Sequence, residues 1–76
     1  MNQRLDIKYA ISLLDVFIDG TMTFRALGNL MSILDRLINE APSIALQNKY
    51  RDIEIACNML NFKESRDALK KIMNDL

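Results

Sequence analysis

The chain has 76 residues, enough for one small domain that buries only about 60% of the surface its unfolded form exposes. Ten basic and ten acidic residues give a formal net charge of zero, which disfavours nucleic-acid binding, because domains with that role usually carry an excess of Lys and Arg. Histidine is absent and Cys57 is the only cysteine, so the sequence predicts no disulfide and no metal site.

The first element is a helix predicted from about residue 3 to residue 19. Its apolar residues recur at helical spacing and form one face: Ile7, Ala10, Ile11, Leu14, Phe17 and Ile18. Leu13 and Val16 widen this face, as is typical of a helix packed against two neighbours. Gly20 follows at the position where a left-handed C-terminal cap is expected.

A second helix is predicted from about residue 24 to residue 41, with Thr23 as its N-cap. Its apolar residues are regularly spaced: Leu27, Leu30, Met31, Leu34, Leu37, Ile38 and Ala41. Gly28 lies beside them and costs about 1 kcal/mol relative to alanine inside a helix, so we expect a neighbouring helix to approach closely there. Pro42 disfavours helical geometry at the preceding residue and ends the element.

A third helix is predicted from about residue 44 to residue 60, with Ser43 as its N-cap. Its core-facing residues are Leu46, Tyr50, Ile53, Cys57 and Leu60. A second set of apolar residues starts on the opposite side and continues in phase: Ile55, Met59, Phe62, Leu69, Met73 and Leu76. The buried face therefore changes side between residues 55 and 60, and a straight helix would leave apolar residues exposed at each end.

A break in the helix resolves this conflict. Asn61 and Glu64 fit a capping box, which predicts a fourth, short helix from about residue 62 to residue 75. The predicted fold is all-α, an antiparallel bundle of three long helices and one short helix in a single domain. The alternative is one continuous third helix whose C-terminal half packs on a second subunit.

The sequence carries no recognisable catalytic equipment. Without histidine, the chain lacks the commonest general base near neutral pH. Cys57 lies among apolar residues with no imidazole to activate it, so we expect a buried structural thiol. Phosphate-binding loops and dinucleotide fingerprints are also absent. These observations predict a protein that is not an enzyme and that binds no cofactor.

The segment Leu13-Leu14-Asp15-Val16-Phe17-Ile18-Asp19-Gly20-Thr21-Met22-Thr23-Phe24 carries a family resemblance. A helix that ends in an aromatic residue, then a small polar turn, then a threonine leading to a phenylalanine resembles the start of small helical bacterial immunity proteins. These include the colicin D immunity type and the immunity proteins of contact-dependent growth inhibition systems. The resemblance covers the N-terminal half of the chain. It implies a compact cytoplasmic protein that binds a cognate nuclease toxin and blocks its active site.

Such inhibitors often present acidic side chains in place of RNA phosphates, and the neutral charge of this chain departs from that pattern. The candidate partner-binding residues are acids around the first turn and on the second and third helices, with two aromatic residues as candidate anchors. They are Asp15, Asp19, Asp35, Asp52, Glu54, Tyr50 and Phe24. Asp15 and Asp19 place negative charge at a helix C-terminus, against the preference of the macrodipole, which suggests a role outside stability.

The expected partner is thus a protein toxin, with no membrane partner, because no apolar run approaches the roughly 20 residues needed to span a bilayer. Asp15 interrupts the apolar stretch of residues 10–18, so no signal peptide is expected. The lone free thiol and the lack of an export signal favour the cytoplasm. Two alternatives stay open. One is a nucleic-acid-binding regulator that uses the basic group of the C-terminal half, which comprises Arg51, Lys63, Arg66, Lys70 and Lys71. The other is a homo-oligomer, such as a homodimer, whose interface is the apolar set from Ile55 to Leu76.

Overall fold

A computed structural model describes residues 3–76, and this part of the chain folds into four helices joined by short turns. The helices are α1 (Gln3–Ile18), α2 (Phe24–Asn39), α3 (Ile44–Asn58) and α4 (Phe62–Asp75). Each packs against the helix that follows it, and α4 closes the ring by packing against α1. The predicted all-α bundle is confirmed. The fourth helix has its predicted bounds and is the shortest, with 14 residues against 15 or 16 in the others.

Side-chain caps start α2 and α3 as predicted. The Thr23 hydroxyl accepts a hydrogen bond from the Ala26 amide at 3.1 Å, and the Ser43 hydroxyl accepts one from the Leu46 amide at 3.2 Å. Both caps have extended backbone angles, which turn the incoming chain away from the helix axis. Each hydroxyl therefore satisfies one amide that has no partner within its own helix.

The start of α4 differs from the predicted capping box. Asn61 is the N-cap residue, but its side chain makes no capping hydrogen bond. The Ser65 hydroxyl instead donates to the Asn61 carbonyl at 2.8 Å, which secures the first turn from within the helix. Ser65 is buried and lies four residues after Asn61, so its hydroxyl can reach back to the Asn61 carbonyl. Glu64, the residue expected to complete the capping box, remains exposed.

The difference between these caps gives a measurable prediction. We expect Thr23→Ala and Ser43→Ala each to lower the free energy of unfolding by about 1 kcal/mol, because each removes an amide's only partner. Asn61→Ala should cost less than either, since no side-chain bond is lost. Urea unfolding followed by circular dichroism measures all three. An Asn61→Ala loss equal to that of the other two would show that the Asn61 side chain does cap α4.

Helices α2 and α3 end earlier than predicted. In α2 the last residue is Asn39 rather than 41, and the Glu40 amide closes the final turn on the Arg36 carbonyl at 2.9 Å. Helix α3 ends at Asn58 and α4 begins at Phe62, so the continuous third helix is wrong.

With this break, the apolar residues of α4 face the same core as those of α3. The buried apolar residues are Ile7, Ala10, Ile11, Leu14, Phe17, Leu30, Ile33, Leu34, Leu37, Ile38, Tyr50, Ile53, Cys57, Leu69 and Ile72. Phe62 and Met73 pack against this core. Phe62, Leu69 and Met73 of the proposed homo-oligomer interface are therefore already covered within the chain, whereas Ile55, Met59 and Leu76 stay exposed.

Two expectations about close packing are wrong. Gly28 is exposed, and a Cβ added to it would meet no heavy atom within 4 Å, so no helix approaches it closely. Val16, expected to widen the core face of α1, is 45% exposed on the outer side of the bundle. The apolar character of α1 is consequently not explained by the core alone.

One polar cluster lies within the bundle. Asp6 on α1 is only 6% exposed and accepts a hydrogen bond at 3.0 Å from the guanidinium of Arg36 on α2. Its second oxygen, Oδ2, has no hydrogen-bond partner among residues 3–76. Tyr50 on α3 is fully buried, and its hydroxyl donates to the Gln3 side-chain oxygen. The cluster links α1 to both α2 and α3.

Candidate functional site

Two of the three turns lie at one end of the bundle, because consecutive helices reverse direction. We call this end, formed by residues 19–23 and 59–61 with the helix ends beside them, the double-turn end. The rings of Phe17 and Phe62 meet there with centroids 5.2 Å apart, which joins the end of α1 to the start of α4. The Cα trace is about 20 Å wide across the bundle, so a single partner could cover this end.

Large apolar side chains are exposed at the double-turn end. They are Met22, Phe24, Met59 and Leu60. Phe24 is 89% exposed because it is the first residue of α2 and points away from the core residues that follow. Single exposed apolar residues are common on protein surfaces, but four at or beside two turns of the same end mark a candidate interaction site.

Leu60 has a backbone conformation that its side chain disfavours. Its φ is +61°, the only positive φ at a non-glycine residue in the described part of the chain. The amides of Leu60 and Asn61 bond back to the Cys57 and Ala56 carbonyls, at 3.0 and 2.9 Å, and so end α3 in a Schellman motif. Glycine is the residue that usually occupies this position.

Leu60 is also 58% exposed, so the core does not compensate for its strain. The sequence prediction that Leu60 continues the buried face of α3 is therefore wrong. The sequence could have indicated this position, because leucine is unusual where a helix C-terminus favours glycine. That inference requires the end of α3 to be known. Strain of this kind at a surface residue points to a role in binding.

An open groove adjoins Leu60. Its walls come from the end of α1, the 59–61 turn and the first turn of α4, and its lining residues are Phe17, Ile18, Leu60, Asn61, Phe62, Lys63 and Glu64. The lining combines apolar side chains with one positive residue, Lys63, and one negative residue, Glu64. This arrangement suits a protein side chain or loop more than a strongly charged small ligand.

The predicted acids of the first turn lie near this end in different environments. Asp15 accepts a hydrogen bond from the Arg66 guanidinium at 3.3 Å, and Arg66 also bonds Asp67 at 3.2 Å. Arg66 is thus neutralised within the chain and does not extend the basic group of the C-terminal half. Asp19 is exposed just beyond the end of α1. It is the predicted acid best placed to face a partner at the double-turn end.

The other predicted acids lie elsewhere. Asp35 on α2 and Glu54 on α3 are neighbours. The pKa of Glu54 is raised, mainly by desolvation and to a smaller extent by the Asp35 carboxyl, while Arg51 acts in the opposite direction. Asp52 lines a groove of about 240 Å³ between α3 and α4, on a different side of the bundle. The predicted acids therefore occupy separate surfaces and do not form one cluster.

The two aromatic candidates for a partner-binding anchor, Phe24 and Tyr50, differ completely in exposure. Phe24 is exposed at the double-turn end, as an anchor requires. Tyr50 is fully buried and hydrogen-bonded, so it belongs to the core and cannot reach a partner unless the bundle opens. Tyr50 is buried because it lies in phase with Ile53 and Cys57 on the inner face of α3.

Reactive groups are sparse in the described chain. Burial raises the pKa of the Cys57 thiol, and a hydrogen bond with Ser65 lowers it, so the core holds this group largely as a neutral thiol. Residues 3–76 contain no cluster of three or more His, Cys, Asp or Glu side chains that could hold a metal ion. Among the helices described, none combines the length and apolar character needed to cross a membrane.

Comparisons of the chain with protein-family models, with curated proteins and with solved structures found no match.

Proposed function

We propose that this chain is a non-catalytic protein-binding module whose partner docks on the double-turn end. The observation that carries the proposal is Leu60, a strained and exposed leucine at a position where glycine would be more stable. Phe24 adds a second large apolar side chain at the same end, and the groove beside Leu60 provides a concave surface for a partner residue. Few well-placed apolar anchors of this kind supply most of the affinity in protein interfaces.

The proposed partner is a bacterial nuclease toxin in the cytoplasm, which this chain would neutralise as an immunity protein. Support comes from the resemblance of residues 13–24 to small helical immunity proteins, a segment that forms the α1 side of the double-turn end. A nuclease that binds phosphates presents a positively charged active site. Asp19, exposed beside the apolar residues, supplies the complementary charge for steering and orientation.

The proposal is tested with the product of the gene immediately upstream, which the immunity role predicts to be a nuclease toxin. We expect the purified chain to bind that toxin and block its nuclease activity. Phe24→Ala and Leu60→Gly should each weaken binding by about tenfold or more, because each removes an apolar anchor. Ile44→Ala is the matched control, since Ile44 is equally apolar and exposed but lies at the opposite end of the bundle.

Leu60→Gly separates binding from folding. Glycine relieves the left-handed strain, so the variant should gain about 1 kcal/mol in unfolding free energy while it loses affinity. Calorimetric titration and urea unfolding of the same sample measure both quantities. If Phe24→Ala and Leu60→Gly bind as tightly as Ile44→Ala, the double-turn end is not the docking surface. If the wild-type chain neither binds nor inhibits the toxin, the immunity role is wrong.

A further inference from the structure

The outer face of α1 is apolar, although it points away from the core. Tyr9 is 57% exposed and Val16 is 45% exposed, and Leu5 is about half-exposed on the same side. These positions and the exposed Ser12 follow helical spacing, so they form one stripe along the helix, which we call the α1 stripe. The opposite face of α1 carries the core residues Ile7, Ala10 and Leu14.

No comparable stripe covers the outer faces of the neighbouring helices. The outer residues of α2 include Arg25, Asn29 and Ser32, and those of α4 include Lys63, Asp67 and Lys70, all of them exposed and polar. A helix that is apolar on both faces is usually covered on both. On the second face of α1, Tyr9 and Val16 are about half-exposed in the described chain, so the stripe has the character of an interface.

We propose that the α1 stripe binds a second copy of this chain, with the two α1 helices antiparallel about a twofold axis. In that arrangement Leu5 of one copy lies level with Val16 of the other, and the Tyr9 ring lies over Ser12. Serine is small enough to leave room for the ring. The stripe is therefore complementary to itself in shape when it is reversed, as a twofold interface requires.

The charges beside the stripe favour the same arrangement. Lys8 and Asp15 flank it on one side, one near its start and the other near its end. A twofold antiparallel pair places the same flank of the two copies side by side with reversed chain direction, so Lys8 of each copy approaches Asp15 of the other. Asp15 is half-exposed and also accepts a hydrogen bond from Arg66 of its own chain. A parallel pair would place Lys8 against the other flank, where the acid, Asp6, is buried and already paired with Arg36. The zero net charge of the chain adds no long-range repulsion between copies.

The size of the surface sets the strength of the pairing. Helix α1 has 16 residues and is about 24 Å long, so one face of it buries less than the roughly 1,200 Å² of a stable interface. The dimer is therefore reversible, with dissociation in the micromolar range or weaker. It leaves both double-turn ends uncovered and pointing in opposite directions, so self-association is separate from the proposed toxin binding.

Sedimentation velocity over a concentration series tests the pairing. We expect the wild-type chain to pass from monomer to dimer, and Tyr9→Glu to raise the dissociation constant by about tenfold or more while it keeps the helical circular dichroism signal. Phe24→Glu is the matched control, an exposed aromatic residue outside the stripe, and should dimerise like the wild type. The same Phe24 variant loses toxin binding under the proposed function, so the two proposals fail on different measurements.

Disulfide trapping tests the antiparallel register. Ser12→Cys places a thiol near the twofold axis and should form a covalent dimer under mild oxidation, whereas Asn48→Cys, on the exposed side of α3, should not. The native Cys57 is buried and leaves both variants interpretable. A wild-type chain that stays monomeric into the millimolar range overturns the proposal. So does a dimer that Tyr9→Glu leaves intact, or one that Asn48→Cys traps as readily as Ser12→Cys.

Discussion

Arg36→Ala is expected to lower the free energy of unfolding by about 2–3 kcal/mol, more than Asp6→Ala, although both changes remove the same ion pair. The asymmetry comes from burial. Asp6 is almost fully buried with one oxygen already lacking a partner among residues 3–76, so the loss of Arg36 leaves a desolvated carboxylate. Arg36 is half-exposed and regains water when Asp6 is removed, which also keeps the expected cost below that of a fully buried pair.

A double-mutant cycle measures this directly. Urea unfolding of Asp6→Ala, Arg36→Ala and the double variant should place the double variant above Arg36→Ala in stability, because the second change removes the stranded charge. A chain of this length has a total stability of about 4–11 kcal/mol, so the Arg36→Ala loss is well above measurement error. Equal losses for the two single variants would show that water or a terminal residue compensates Asp6.

Alkaline pH is expected to destabilise the bundle through Tyr50. Burial, with a smaller contribution from the nearby Asp6 charge, raises the pKa of Tyr50 to about 12, against 10.0 for the free side chain. Below pH 10 both states hold the proton and stability is complete. Between pH 10 and 12 the unfolded chain releases the proton while the folded chain retains it, so the free energy of unfolding falls by roughly 2–3 kcal/mol.

The contribution of Tyr50 can be isolated from that of the lysines, which titrate in the same range. Tyr50→Phe removes the ionisable group and should make the loss of stability between pH 10 and 12 shallower by that amount. In a Tyr9→Phe variant Tyr50 is the only remaining tyrosine, so phenolate absorbance reports its titration alone. The same pH dependence in wild type and Tyr50→Phe would mean that the folded state admits the phenolate.

The helices were predictable because their apolar residues repeat at helical spacing. The starts of α2 and α3 are also marked by short hydroxyl side chains. Thr23 and Ser43 cap as expected, and the change of buried face between residues 55 and 60 correctly required a break. The mechanism of the break was not predictable. It depends on Leu60 adopting a conformation that favours glycine, a choice that runs against local preference.

The candidate site was less predictable, because it depends on which helix faces which. Periodicity places Asp35 and Glu54 on polar faces, but only the packing of α2 on α3 makes them neighbours. Likewise, the sequence shows Asp15 as an exposed acid, and the packing of α4 on α1 gives it Arg66 as a partner. Phe24 lies directly after the Thr23 N-cap and before the buried part of its helix, so its exposure follows from the position of the cap.

The ring of four antiparallel helices also determines how the molecule can be attached to other things. Four antiparallel helices make three reversals, which bring residue 76 back to the end where residue 3 lies, on the two adjacent helices α1 and α4. A tag, a fluorophore or a surface anchor joined to either terminus would therefore sit about one helix length from the double-turn end. Chains immobilised in this way would all present Phe24 and Leu60 outward, in a single orientation.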